Sequence, residues 1–299
     1  MKKIFIFTIT LFYTGTIAAQ ISFCDDFEGY QNGDPIAQTS SDWETWGSLG
    51  NPNLVPPVNP TSPPYSDDAN VSSILASSGN NSLYLFSGST QGPQDVVLPF
   101  GSSAPYTSGN FEFSSNFYVN TGTGAYFNFQ ANNFPGSIWC LDVKMDLGTI
   151  VLENTGSGIN YLTASYPQGT WFELKITADL TTNNWELFID NQSLGSFTNT
   201  INQIASLDLY PIIGHQFYVD DICYTYTPYT ALAYDMSAVD LNFASYIALS
   251  SSPFTISGDI VNLSSTTITS LDLNYSINGA APVVDDCNCI VCQYPCKMD

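Results

Sequence analysis

The sequence predicts an all-β protein built of antiparallel sandwiches, and three observations carry that prediction. Short runs rich in Val, Ile, Phe, Tyr and Thr alternate apolar and polar residues with a period of two. Clusters of Gly, Asn, Ser and Pro punctuate them. No stretch carries the 3.6-residue periodicity of an amphipathic helix.

The first element is an address rather than a strand. Lys2 and Lys3 precede a short apolar run from Ile4 to Tyr13, and Ile17-Ala18-Ala19 before Gln20 has the small residues of a cleavage site. Residues 1–19 therefore read as a secretory signal peptide, too short to span a bilayer. No later apolar run is long enough to span, so the chain is expected to be secreted, extracellular or at the cell surface. Phe23 ahead of Cys24 does not match a lipid-attachment pattern.

Strands are expected at Phe111–Val119, Ala125–Ala131, Ile138–Met145, Thr149–Glu153, Trp171–Ala178, Trp185–Asp190 and Gln216–Tyr226. In the first, Phe111, Phe113, Phe117 and Val119 fall on one face, and Glu112, Ser114, Asn116 and Tyr118 on the other. Phe172, Leu174, Ile176 and Ala178 oppose Trp171, Glu173, Lys175 and Thr177 in the same way. One face packs and one is solvated, as in a sandwich. The Pro- and Ser-rich stretch Asn51–Asp68 reads as a long surface loop. Thr225–Tyr229 ends the first domain. A second β pattern follows at Ala238–Phe243, Phe254–Asn262 and Thr267–Ile277, and Asn278-Gly279 is a hairpin turn signal.

Composition then limits function. Of 299 residues, 27 are acidic and five are basic, and all five bases are lysines, two of them in the signal peptide. The formal net charge is −22 and there is one His. Nucleic-acid binding requires cations that this chain lacks. Recognition of anions by an arginine fork and chemistry that requires two histidines are excluded as well.

Gly169-Thr170-Trp171, the strand to Ala178, the turn Thr181–Asn184, Trp185–Asp190-Asn191 and Leu194-Gly195 form one unit. It resembles the central hairpin of concanavalin A-like, laminin-G-like jelly rolls. Cys24-Asp25-Asp26-Phe27-Glu28-Gly29-Tyr30 and Tyr218-Val219-Asp220-Asp221-Ile222-Cys223 resemble the first and last strands of that superfamily, as in meprin-type adhesion modules and carbohydrate-binding modules. Ile260–Ser264 and Leu271–Gly279 resemble immunoglobulin-like modules that follow such domains in secreted Bacteroidetes proteins, though about three strands are present where the module needs about seven. The expected organisation is a jelly-roll domain over residues 20–227, a partial immunoglobulin-like domain over 228–286, and a Cys-rich tail over 287–299.

The resemblance places the first and last strands side by side. It thereby gathers Asp26, Glu28, Asp220 and Asp221, whose oxygens would suit a structural Ca²⁺; the alternative is a solvated acidic edge. Cys24 and Cys223 lie on the same strands, either as a disulfide or as two buried thiols. Cys140 is left as a buried free thiol. Cys287, Cys289, Cys292 and Cys296 are open to three readings: a truncated or frame-shifted end, two disulfides, or a metal site. His215 reads as a surface or turn residue, since no G-x-S-x-G nucleophile accompanies it.

Ligand contacts are expected from Tyr118, Tyr126, Asn128, Gln130 and Trp139, whose rings and amides suit sugar faces and hydroxyls. Trp43 and Trp46 form a second candidate pair. No Glu-x-Asp-x-x-Glu pattern of jelly-roll glucanases occurs, leaving Asp142, Asp146 and Glu173 as weak catalytic carboxylates. The function expected is non-catalytic binding of extracellular polysaccharide or glycan, or cell-surface adhesion. The alternatives are a glycoside hydrolase or lyase acting on an extracellular polysaccharide, and a structural protein–protein adhesin.

Overall fold

The computed structural model describes residues 19–46, 67–89, 93–132, 138–154 and 156–230, the strand backbones of a following unit, and residue 266. The Asn51–Asp68 loop, save its last two residues, and most of the Cys-rich tail lie outside the described residues. The chain divides into two compact units between Tyr229 and Thr230.

In chain order the first unit comprises β1 (Ile21–Asp25), α1 (Ile36–Thr39), β2 (Glu44–Thr45), β3 (Asn70–Ser72), β4 (Ser82–Phe86) and β5 (Val96–Pro99). Then come β6 (Asn110–Val119), β7 (Gly124–Gln130), β8 (Trp139–Asp146), β9 (Thr149–Asn154) and β10 (Ile159–Ser165). It closes with β11 (Trp171–Asp179), β12 (Asn184–Ile189), β13 (Gln192–Phe197), β14 (Ser206–Leu209) and β15 (Gln216–Thr227). These make two antiparallel sheets. One runs β13-β12-β11-β6-β15-β4-β3, with β1 also on β15; the other runs β10-β9-β8-β7-β14-β5-β2.

The period-two pattern is realised strand by strand. Along β6 and β11 the buried positions alternate with half-buried and exposed ones, and Phe111, Phe113, Phe117, Phe172, Leu174 and Ile176 enter the core. From the opposite sheet come Phe127, Phe129, Leu141, Val143, Ile150, Leu152, Leu207 and Leu209. Phe113 meets Phe129 edge-on at 5.2 Å, and Phe117 stacks on Phe127 at 5.4 Å, so aromatic pairs bridge the layers. The β12–β13 hairpin turns on Asp190 and Asn191, both at positive φ (48° and 62°), the geometry a two-residue turn between twisted strands requires.

The first and last strands of this unit are joined. β1 pairs antiparallel with β15, opposing Cys24 to Cys223, and the two form a disulfide. Cys140 is a buried free thiol.

The second unit is described by backbone alone. It contains β16 (Met236–Asn242), β17 (Ser257–Asn262), β18 (Ser270–Tyr275), β19 (Val283–Asn288) and β20 (Cys296–Lys297). β16, β17 and β20 form one sheet, and β18 pairs with β19. Among the described residues, no helix is long and apolar enough to cross a membrane.

Candidate functional site

The outer face of the seven-stranded sheet carries a cleft of about 570 Å³. Alternation decides what lines it. On β7, Ala125, Phe127 and Phe129 go to the core, so Tyr126, Asn128 and Gln130 point the other way. Register then builds a polar row across neighbouring strands: Asp208 of β14 opposes Asn128, Asn128 opposes Asp142 of β8, and Asp142 opposes Glu153 of β9.

A bulge sets the wall. Phe129 pairs with Leu141 but Gln130 pairs with Trp139, so Cys140 is the extra residue. Plain alternation would send Cys140 to the cleft and Trp139 to the core. The bulge reverses this: Cys140 is fully buried and Trp139 is 39% exposed on the cleft side. Across from it stands Trp46, whose ring stacks on Trp139 at 6.3 Å between centroids and 18° between planes. Tyr126 and Tyr210 add an edge-to-face pair at 6.2 Å.

The floor is a hydrogen-bonded network. Tyr126 Oη donates to Asp142 Oδ1 at 2.5 Å, Asn128 Nδ2 donates to Asp208 Oδ2 at 2.7 Å, and Gln130 Nε2 donates to Asn128 Oδ1. Lys144, the cation in the cleft lining, is paired with Glu153. Asp95, the residue before β5, joins Asp208. Their Oδ1 atoms are buried and receive no hydrogen bond from an N–H or O–H donor. Burial, and then the neighbouring Asp208 charge, raise Asp95 well above the carboxylate range. Burial likewise raises Asp208, against the stabilising bonds from Asp95 and Asn128. Each of these buried carboxyls disfavours the charge of the other. Tyr126 is raised too, by burial first and then by the Asp142 charge, and stays a donor.

Four of the five residues expected to touch ligand thus share one face, and three of these, Tyr126, Asn128 and Trp139, line the cleft. Gln130 lies beneath, fully buried, holding Asn128. Tyr118 is the correction. It sits on β6 of the other sheet, edge-on to Trp171 at 5.6 Å and to Tyr218 at 6.3 Å. Its alternation was legible, but not the sheet to which its strand belongs. Trp43 and Trp46 part company: Trp43 is buried and donates Nε1–H to Asp25 Oδ2 at 2.9 Å, while Trp46 joins the cleft. Of the weak carboxylates, Asp142 is in the cleft, Glu173 is on the opposite sheet, and Asp146 lies 3.4 Å from His215 Nε2. His215 occupies a turn as expected, but it is 4% exposed rather than on the surface.

The acidic residues at the two ends of the first unit clasp a loop. Asp220 Oδ2 accepts the N–H groups of Ser77 and Ser78 at 2.7 and 3.1 Å, and Glu28 Oε1 accepts those of Asn80 and Asn81, both at 2.7 Å. Asp221 takes Ser78 Oγ at 2.8 Å and Asn116 Nδ2 at 2.8 Å, and Asp26 takes the Glu28 N–H at 3.1 Å. Among the described residues, no three such side chains converge on a point that could hold a metal. The oxygens that accept these donors anchor the loop over residues 77–81 to the first and last strands of the unit. Gly79 allows the clasp: a Cβ there would lie 2.3 Å from Glu28 Cδ, and its φ is +53°. Gly79→Ala adds the clash with Glu28 to backbone strain and is expected to lose more stability in urea unfolding than Gly33→Ala, where strain alone costs about 1–3 kcal/mol.

No family model and no curated protein matches the chain. Solved structures do. "Cellulose induced protein, Cip1" is 12% identical, with 68% of this chain and 96% of that chain covered at a TM-score of 0.47. A carbohydrate-binding module, CBM66 from Bacillus subtilis, is 10% identical over 61% and 94%, at 0.38. The Caenorhabditis elegans galectin LEC-6 is 11% identical over 47% and 94%, at 0.33.

Proposed function

We propose that the chain is an extracellular carbohydrate-binding protein whose cleft takes a segment of neutral glycan. The cleft itself carries this reading. Its walls are two near-parallel indoles, and its floor offers amide, phenol and carboxyl groups at fixed spacing. Rings cover the apolar faces of sugars, and the floor exchanges hydrogen bonds with hydroxyls. An anionic sugar would meet Asp95, Asp142 and Asp208 with a single lysine that Glu153 already holds. A neutral one meets no such penalty.

Isothermal titration with soluble mixed-linkage β-glucan, xylan, galactomannan and dextran tests the proposal. At least one is expected to bind saturably. Trp46→Ala and Trp139→Ala should each weaken that affinity about 10- to 100-fold, the loss of one stacking face at about 1.5–3 kcal/mol. Trp171→Ala, on the opposite sheet, should leave it unchanged. Retention of affinity by both cleft variants would overturn the assignment of the cleft. Capture of cells or matrix that no sugar competes, with no glycan bound, would favour protein–protein adhesion instead.

A further inference from the structure

The cleft offers little positive charge to set against its carboxyls. Asp95, Asp142 and Asp208 line it together with one lysine, Lys144, and Glu153 holds that lysine. The hydroxyls of a neutral sugar leave this excess of carboxyl groups without a counter-charge. We propose that, among the glycans it binds, the cleft favours a segment carrying a free amino sugar, whose ammonium docks on the Asp95 and Asp208 carboxyls and against the aromatic rings beside them. This rests on the binding reading above and names the class of sugar the site prefers.

Three observations support it. First, two carboxyls of the lining present acceptors that no donor uses. The Oδ1 atoms of Asp95 and Asp208 are buried without a hydrogen-bond partner, and Asp208 as a whole is 3% exposed. Both residues line the cleft, and Asp95 is the more accessible of the two, being half-buried. An ammonium brings three N–H donors and a charge, where a hydroxyl brings one donor and none. Second, rings and carboxyl are set together. Val96 pairs with Leu209, which puts Asp95 in line with Tyr210. The Trp46 N–H donates to the Asp95 carbonyl oxygen at 2.9 Å. Tyr210 packs edge-to-face on Tyr126, and Trp46 lies within 18° of parallel to Trp139. The negative face of an aromatic ring attracts a cation, most strongly where water is excluded.

Third, the lysine of the lining sits on the far side of the sheet from these two carboxyls. Lys144 is on β8, and β7 and β14 intervene before β5, which Asp95 precedes. Three strand spacings of about 4.8 Å set the Lys144 and Asp95 backbones about 14 Å apart. The Glu153 that holds Lys144 is on β9, one strand further from Asp95. The electrostatics agree with the geometry. Burial, and then the Asp208 charge, raise Asp95, and burial raises Asp208. An ammonium placed against the two favours their ionised forms, so ligand charge and carboxyl ionisation reinforce one another.

Isothermal titration of the full chain, at neutral pH and about 0.15 M salt, compares three tetrasaccharides of one linkage: β-1,4-linked glucosamine, its N-acetylated form and its glucose counterpart. The glucosamine tetramer should bind about 10-fold or more tighter than either of the others. It and the best-binding polysaccharide of the panel above should displace each other. Asp95→Asn should cut the preference for the amine below about threefold, and Trp46→Ala should weaken the glucosamine tetramer as it weakens neutral glycan. If the glucosamine tetramer binds no tighter than its counterparts, or none of the three binds while a panel polysaccharide does, the preference is overturned and the binding reading stands. Simultaneous binding of the tetramer and the polysaccharide overturns it as well. So does glucosamine binding that neither variant weakens, which is adhesion to the acidic surface of a chain with net charge −22. No binding by any tetramer or polysaccharide removes both readings. Where a variant fails to fold, the wild-type preference and the mutual displacement decide.

Discussion

Loss of the Cys24–Cys223 disulfide is expected to lower the stability of the first unit by about 5 kcal/mol. The two cysteines are 199 residues apart, so the bridge closes a loop comprising nearly all of the unit. Loop-closure entropy for a ring of that size gives the figure, and native disulfides of secreted domains cost about 2–5 kcal/mol when removed. The local structure gives a second reason for a large effect. β1 is joined to its sheet through β15 alone, and its further anchors are modest: Ile21 and Phe23 are partly buried, with Phe23 stacked on Tyr224 at 5.6 Å. A Cys24→Ser/Cys223→Ser chain should melt about 10–20 °C below the oxidised wild type. The wild type in reductant should fall by a similar amount, while the first unit of the double variant ignores reductant because its remaining cysteine, Cys140, is a buried thiol. If the variant melts within 3 °C of wild type, β1 is an ornament to the sandwich and not its clasp.

The same pairing shows what the sequence made legible. Alternation in β6 and β11 named the core face residue by residue, because a strand half-buried in a sandwich can bury only every second side chain. It could not tell which strands share a sheet, since sheet membership depends on long-range pairing and not on period. Tyr118 and Tyr126 lie eight positions apart and were assigned to one site, but β6 and β7 belong to opposite layers. The site was legible where it lay on a long strand, as at Tyr126 and Asn128. It was hidden where strands are short: β14 and β5 have four residues each, too few to show a pattern, and they carry Asp208 and lead out of Asp95. Trp139 reaches the cleft side only through the bulge at Cys140, a device that leaves no periodic trace. His215 shows the converse. A polar residue after Gly214 reads as exposed, yet the turn folds beneath Gly124, whose Cβ, if it had one, would lie 2.8 Å from Nε2.

The first unit should be most stable in mild acid, losing on the order of 5 kcal/mol between pH 4.5 and pH 7.5. Folded chains usually gain stability over this range, because paired carboxylates ionise. Here the direction reverses. Burial, outweighing the bonds each carboxyl accepts, pushes Asp68 and Asp220 up from 3.8 to about 6. Burial also raises the Asp95–Asp208 pair. Between the unfolded and folded values such a group is protonated in the native chain and ionised in the unfolded one. The native state then binds more protons, so unfolding free energy falls as pH rises. A shift of about two units is worth about 3 kcal/mol for a fully buried group, and Asp208 is 3% and Asp220 0% exposed. His215, lowered by burial against the pull of Asp146, acts in the opposite sense over part of the window: its buried neutral ring is destabilised as pH falls. It is one group against several, and the self-repulsion of a chain with net charge −22 grows with pH as well. Urea unfolding at the two pH values, with the disulfide intact, reads the difference directly. Asp220→Asn supplies the control, because its amide oxygen can still accept the Ser77 and Ser78 N–H groups without the charge. That variant should exceed wild type by about 1 kcal/mol at pH 4.5 and by about 3 kcal/mol at pH 7.5. A wild type more stable at pH 7.5 than at pH 4.5 would mean that these buried carboxyls ionise in the folded chain.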